Sequence, residues 1–300
     1  MYTVLGATGN IGSVIARALL EKGEKVRVVG RHPGKLQQFV QKGAEALVAD
    51  VFDAATLSKA FADARAAFLM IPPDMTSPDY RAEQERMAST ISSAVKASGL
   101  QYAVVLSSIA AQLPSGTGPI AGLHNFEQKL SAIDKLNVLY LRPAYFFENH
   151  LSAIGMIQLM GIFGGPLKAD LRIPMIATRD IGAYAADRLL KLDFSDKQTQ
   201  ELLGQRDLTM NEIAAVISRN LNKTGLRYVQ FPYDQVEKVL QQMGTPAKTA
   251  AMFLEMSDGF NTGICAGLEP RSAANTTPTT IESFIREVFV PAYNGKAATA

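Results

Sequence analysis

The chain of 300 residues predicts an α/β fold: a doubly wound parallel sheet with a smaller α/β part at its carboxy end. Three observations carry that expectation. Strand-like and helix-like segments alternate through the first 149 residues, as parallel sheets with crossover helices require. Ala66–Ile71 (AAFLMI) is nearly all apolar, which suits a strand covered on both faces. The first strand also runs straight into a glycine-rich turn that opens a helix.

Tyr2–Leu5, with the β-branched pair Thr3-Val4, reads as a buried strand. Gly6-Ala7-Thr8-Gly9-Asn10-Ile11-Gly12 follows, and Ser13–Leu20 carries apolar residues at helical spacing. Glycine allows a tight turn, close approach of backbone to a pyrophosphate, and close packing of helix on strand. A helix opening near Gly9–Gly12 aims unpaired N–H groups and its positive dipole end at an anion. The stretch therefore reads as a phosphate-binding βα unit, with the spacing G-x-x-G-x-x-G in place of the commoner G-x-G-x-x-G.

Lys25–Gly30 is the second strand, Arg31-His32-Pro33-Gly34 a turn, and Lys35–Lys42 a short helix. Glu45–Ala49 is the third strand, ending at Asp50, and Asp53 is placed to cap a helix over Ala54–Phe61. Pro72-Pro73 stops the fourth strand. Gly99 closes a long helix, Asp79–Ser98. Tyr102–Leu106 is the fifth strand and ends in Ser107-Ser108. A Gly/Pro/Ser-rich loop (Leu113–Gly122), a helix (Leu123–Ile133) and a sixth strand (Val138–Leu141, ending at Arg142-Pro143) follow.

The tidy alternation breaks near Asn149, dividing the chain into a nucleotide-binding part, 1–149, and a remainder, 150–300, from which about 174–204 returns to the sheet. There, Thr178 or Asp180 caps a helix over Ile181–Leu190, and Glu201–Leu203 is a strand. Thr209 and Glu212 fit a capping box before Ile213–Leu221. Arg227–Phe231 reads as a strand, and Tyr233–Met243, Thr249–Asp258 and Thr280–Phe289 as helices, with fraying expected after Asn294.

A formal charge of +2 provides no basic field for nucleic acid. A single cysteine, Cys265, excludes an internal disulfide, fits a reducing compartment and reads as a small buried hydrophobe. No apolar run reaches the roughly 20 residues of a membrane span. Met1 directly precedes the first strand, so a cytoplasmic address is expected. The histidines, His32, His124 and His150, offer no metal-ligand spacing with the lone cysteine.

The end of the second strand discriminates between cofactors. An acid there would bond the ribose 2′-hydroxyl of NAD, whereas an arginine pairs with the 2′-phosphate of NADP. This chain has Gly30-Arg31-His32 and no nearby carboxylate, which favours NADP(H), with His32 assisting or beginning the turn. Asp50, next to Val51, has two readings: a carboxylate accepting from the adenine amino group, or a turn residue before the next helix.

GATGNIG, GRHPGKL, FLMIPP, LSSIAA, HNFEQKL, LRPAYFFEN and TRDIGAYAADRLL together resemble the NmrA-like, NAD(P)-binding atypical short-chain dehydrogenase/reductases over nearly the whole chain. The resemblance implies a Rossmann domain with a small substrate domain, and NADP(H) as cofactor. It also implies one of two activities: reduction of quinone-like or other small organic substrates, or cofactor sensing without turnover. A homodimer is left open. Carried over by position, Gly6, Thr8, Gly9, Asn10, Ile11 and Gly12 match the pyrophosphate loop and Arg31 the 2′-phosphate contact. Ile71 and Pro72 flank the adenosine ribose and nicotinamide side. Ser107 and Ser108 lie beneath the nicotinamide, and Pro143, Ala144 and Tyr145 close over its ring.

The chain departs from ordinary short-chain reductases in catalysis, because no tyrosine is followed by lysine in the Tyr-x-x-x-Lys pattern. His124 is the expected acid or polarising donor, with Tyr145 and Ser107 as other candidates. Phe146, Phe147 and Asn149 are the expected substrate contacts, and Pro114–Gly118 reads as a lid or a plain surface loop.

Overall fold

The computed structural model describes residues 1–295. Residues 296–300, where most of the expected fraying would fall, lie outside the described residues. Six strands, β1 (Tyr2–Leu5), β2 (Val26–Gly30), β3 (Glu45–Val48), β4 (Ala66–Leu69), β5 (Tyr102–Leu106) and β6 (Asn137–Pro143), come from the first half. Between them lie α1 (Asn10–Glu21), α2 (Pro33–Val40), α3 (Ala54–Phe61), α4 (Tyr80–Ser98) and α5 (Ile120–Ser131). The short strands β7 (Tyr145–Phe146), β8 (Phe163–Gly165) and β9 (Ile173–Ile176) follow, with α6 (Ile154–Met160) and α7 (Thr178–Lys191) among them. The seventh strand of the central sheet is β10 (Lys197–Leu202). The sheet order is β10-β6-β5-β4-β1-β2-β3, and every pairing in it is parallel.

Residues along each strand alternate between the two faces, as the pleat requires. Val4, Val28, Phe68, Val104 and Leu139 pack on the side of α1, α2 and α7. Leu5, Val29, Leu69, Val105 and Val138 pack on the side of α3, α4 and α5. Both faces are buried, which explains the near-continuous apolar strands. On the first side the core continues without a break through Phe147, Ile157, Phe163, Met175, Ile213 and Phe284, so the later segments share it.

Those later segments add β11 (Asp207–Leu208), α8 (Met210–Leu221), β12 (Tyr228–Gln230), α9 (Tyr233–Gln242) and α10 (Ala247–Thr262). A last helix runs from Ile281–Phe284 through a π segment, Ile285–Phe289, to Val290–Tyr293. Two small sheets, β11-β9-β7 and β12-β8, stand apart from the central one. Among the described residues, no helix is long and apolar enough to cross a membrane.

Local signals hold where their partners are local. Asp53 accepts from Thr56 N, Gly99 closes α4 at φ +69°, and Thr209 and Glu212 form the reciprocal capping box. The start of α7 differs from expectation. Its N-cap is Ala177, and Glu148, thirty residues upstream, accepts from Thr178 N (3.0 Å) and Thr178 Oγ1 (2.6 Å). Asp180 instead holds Thr279, through its N (2.9 Å) and Oγ1 (2.6 Å). A remote carboxylate supplies the cap that the local sequence was expected to provide.

Candidate active site

The carboxyl ends of β1, β2, β4, β5 and β6 open on one edge of the sheet, where ligands of such folds collect. At β1 the chain turns through Gly6, which has φ +64° and leaves space that a Cβ would take to within 2.5 Å of Met70 Sδ. Gly9 N donates to Gly6 O (2.9 Å), and Ser13 N is the first helical donor, to Gly9 O (3.0 Å). No side chain caps α1 and its first turn carries no acid, so the N–H groups of Asn10, Ile11 and Gly12 are left for a ligand. A Cβ at Gly12 would overlap the Gly6 carbonyl, 2.7 Å from its carbon. Thr8, Gly9 and Asn10 are exposed. A helix start of this kind, with its N–H groups uncapped, can receive an anion on the backbone.

Arg31 and His32 stand exposed at the end of β2, which passes close to Thr8. Across from them the loop after β4 presents Asp74, which accepts from Thr76 N (2.9 Å) and Thr76 Oγ1 (2.6 Å). These bonds hold its carboxyl below the usual range, and the Arg31 guanidinium acts in the same direction. Asp50 is exposed, and its Oδ1 accepts from Phe52 N (3.0 Å), so it serves the turn, with Val51 half-buried beside it. Ile71 is buried and Pro72 half-buried where the chain leaves β4.

At the ends of β5 and β6 the site is built from side chains. Glu127 of α5 is 4% exposed and accepts from Arg142 Nε (3.0 Å) and Nη2 (2.6 Å) at the end of β6. Ser107 Oγ donates to Glu127 Oε1 (2.5 Å). The Ser107 proton is thus directed into this pair and not toward a substrate, unlike the expected donor role. Ser108 is half-buried beside it, Pro143 O accepts from Ile109 N (3.1 Å), and Ala144 N donates to Leu202 O (2.9 Å). His124 is half-buried, and its Nδ1 donates to Ala111 O (2.8 Å). A carbonyl can only accept, so Nδ1 carries the proton and Nε2 is the atom left to act. Lys129, on the same helix, is drawn off to Glu85 (2.7 Å).

Tyr145 is half-buried, its ring edge-on to Phe260 (5.9 Å) and tilted against His150 (5.7 Å). Burial pushes its phenol up to about 12, opposed by a bond with Asn149. Phe146 is half-buried and Asn149 exposed. Phe147 corrects the expectation of a substrate contact: it is 1% exposed, with its ring on Phe284 (5.4 Å). The short 3₁₀ turn Phe147–Ala153 rotates it into the core.

The loop with two readings, a lid or a plain surface loop, is clamped at its carboxyl end, while Pro114–Gly116 are exposed. Gly118 O accepts from Arg81 Nη2 (2.6 Å) and Pro119 O from Gln84 Nε2 (3.0 Å). A Cβ at Gly118 would lie 2.9 Å from Met256 N, so the loop lies backbone-to-backbone on α10.

The model of the NmrA-like family matches residues 2–285. The chain belongs to the NmrA-like family. Among curated proteins, an NAD(P)H azoreductase of Xenophilus azovorans is 26% identical over 256 residues, covering 85% of this chain and 86% of that protein. Among solved structures, an NADPH-dependent quinone oxidoreductase of Escherichia coli complexed with NADPH superposes with a TM-score of 0.80 at 22% identity, over 95% of this chain and 98% of the other. NmrA, a negative transcriptional regulator in complex with NADP, superposes with a TM-score of 0.72 at 16% identity, over 98% and 97%. The two structures share the fold with this NmrA-like chain.

Three site features of this NmrA-like protein lie beyond a reading of its residues in order: Asp74 facing Arg31, the Glu127–Arg142 pair, and Ala110 at φ +66° after β5. The first two join residues distant in sequence. The third is a left-handed alanine that no glycine announces.

Proposed function

We propose that the protein is an NADPH-dependent oxidoreductase that passes hydride to a quinone or a related conjugated acceptor. The observation that carries this reading is the uncapped backbone cradle at Gly6–Gly12, with Arg31 exposed at the adjoining strand end and no carboxylate next to it in sequence; Asp74 across from it is already held by Thr76. The turn fits a pyrophosphate loop because a Cβ at Gly12 would overlap the Gly6 carbonyl, so glycine there permits the close packing of helix on strand that such a loop needs. Thr8, Gly9, Asn10, Ile11 and Gly12 would hold the diphosphate and Arg31, helped by His32, the 2′-phosphate. Asp50, Val51, Ile71 and Pro72 would line the adenosine. Ser107, Ser108, Pro143, Ala144 and Tyr145 would bound the nicotinamide end. The azoreductase and quinone oxidoreductase relatives support the same reading.

When bound, the dihydronicotinamide supplies the hydride. Proton supply falls to His124, whose Nε2 accepts when the ring is neutral and donates when it is protonated. Tyr145 keeps its proton, with a phenol pushed up to about 12 and no lysine partner, and serves with Phe146 and Asn149 to seat the substrate. A quinol oxygen also takes a proton from water, which would leave a residual turnover when His124 is removed. Segments after residue 150 supply the rest of the substrate side.

The second reading, an NADP(H)-binding sensor without turnover, is favoured by the missing Tyr-x-x-x-Lys pattern and by the NADP-bound regulator of like fold. A screen of quinones, azo dyes and aldehydes for NADPH oxidation separates the two. Turnover with a quinone or dye supports the reductase. Tight NADPH binding with no turnover on any of them supports the sensor.

A further inference from the structure

We propose that the Ser107–Glu127–Arg142–Gln112 network is a positioning device that locks His124 into one ring orientation and one tautomer. The importance of that lock for turnover rests on the reductase reading, but the lock itself does not.

Glu127 lies one helical turn beyond His124, so the two side chains leave α5 on the same face. Each is tied to the loop after β5. His124 Nδ1 donates to Ala111 O (2.8 Å). Glu127 reaches the next residue through Arg142, whose Nη1 donates to Gln112 Oε1 (3.4 Å). Ser107, where that loop begins, bonds the same carboxylate (2.5 Å). The loop between these ties carries Ala110 at φ +66°, a conformation disfavoured for alanine unless its surroundings hold it. The result is a closed ring of contacts: α5, the loop, the end of β6 and the end of β5.

Stability alone does not account for the pair. Glu127 and Arg142 are 4% and 9% exposed, and a buried ion pair of this kind is commonly matched in stability by apolar residues of similar volume. Its distinctive property is direction, because two parallel charge-assisted bonds fix the relative placement of helix and strand. That placement keeps Ala111 O opposite Nδ1. With the carbonyl there, a proton on Nε2 alone would set a ring lone pair against a carbonyl lone pair. Once the carbonyl moves away, the ring is free to exchange tautomers.

The test is long-range ¹H–¹⁵N spectroscopy of the protein labelled with ¹⁵N-histidine. Only three histidines contribute, and His124→Ala assigns the relevant signal. In the wild type the neutral His124 ring should show the Nδ1–H pattern. Two variants are compared: Glu127→Gln, and the paired change Glu127→Met with Arg142→Met, which removes both charges at similar volume if the single change fails to fold. A shift of the folded variant toward Nε2–H supports the lock. It should be accompanied by a roughly ten- to hundredfold lower kcat for quinone-dependent NADPH oxidation, with KM for NADPH held within about twofold. A folded variant whose His124 keeps the wild-type Nδ1–H pattern overturns the proposal, whatever its melting temperature. A tautomer shift in a protein that turns over no acceptor supports the lock and sinks the reductase reading.

Discussion

At Gly12 an added methyl group would meet the Gly6 carbonyl, and what shapes that end of the site is the lack of a side chain. At Glu127 the opposite holds, since two buried charged residues meet through both carboxylate oxygens. The first region presents backbone N–H groups whose positions follow from the strand–turn–helix path. The second presents one imidazole atom whose orientation depends on a chain of side-chain bonds. In the proposed function, recognition of a phosphate would rest on main-chain geometry, which substitution can only obstruct. Proton supply, in the same proposal, would rest on side chains, which substitution can retune.

Breaking the first region should produce the largest effect. Gly12→Val is expected to weaken NADPH binding by more than about a hundredfold and to lower Tm, because strand and helix cannot separate without distorting the turn. Calorimetry and a thermal melt check both. In the second region His124→Ala should reduce kcat roughly a hundredfold with little change in NADPH affinity. Tyr145→Phe should change kcat less than about threefold, since a phenol this reluctant to ionise is not the acid. A larger loss in Tyr145→Phe than in His124→Ala would move the donor role to Tyr145.

Arg31 sharpens the contrast, because the proposed function assigns it the choice between the two nucleotides. Arg31→Ala should weaken NADPH binding roughly ten- to a hundredfold, the worth of charge-assisted bonds to a phosphate, and leave NADH unchanged. An equal loss for both nucleotides would mean that Arg31 contacts something other than the 2′-phosphate.

The smallest effect lies behind the site. His150 is 4% exposed, its Nε2 has no partner among the described residues, and burial lowers its pKa to about 4. The unfolded chain, with a histidine near 6.5, therefore binds a proton that the folded protein refuses between these values. Stability is complete above about pH 6.5 and declines as pH falls toward about 4. His150→Phe, among Tyr145 and Phe163, should flatten that decline and leave Tm at pH 8 nearly unchanged. Melts at pH 5 and pH 8 read the difference.

The same contrast explains what was legible in the sequence. The opening turn, β5 and α3 follow from neighbouring residues, and their boundaries coincide with the hydrophobic and capping signals. Glu148 capping α7, Glu127 meeting Arg142 and Asp74 facing Arg31 depend on pairs that only the folded chain brings together. β7 and β8 have two and three residues, too few to show a period of two. The aromatic run Tyr145-Phe146-Phe147 looks like a pocket wall, yet the 3₁₀ turn that starts at Phe147 sends that ring into the core.

Isothermal titration of the unmodified protein with NADPH and with NADH tests most directly whether main-chain amides and one guanidinium define the nucleotide site. The account predicts binding of NADPH that is at least about tenfold tighter than that of NADH. Preference for NADH, or no heat with either nucleotide, would contradict it.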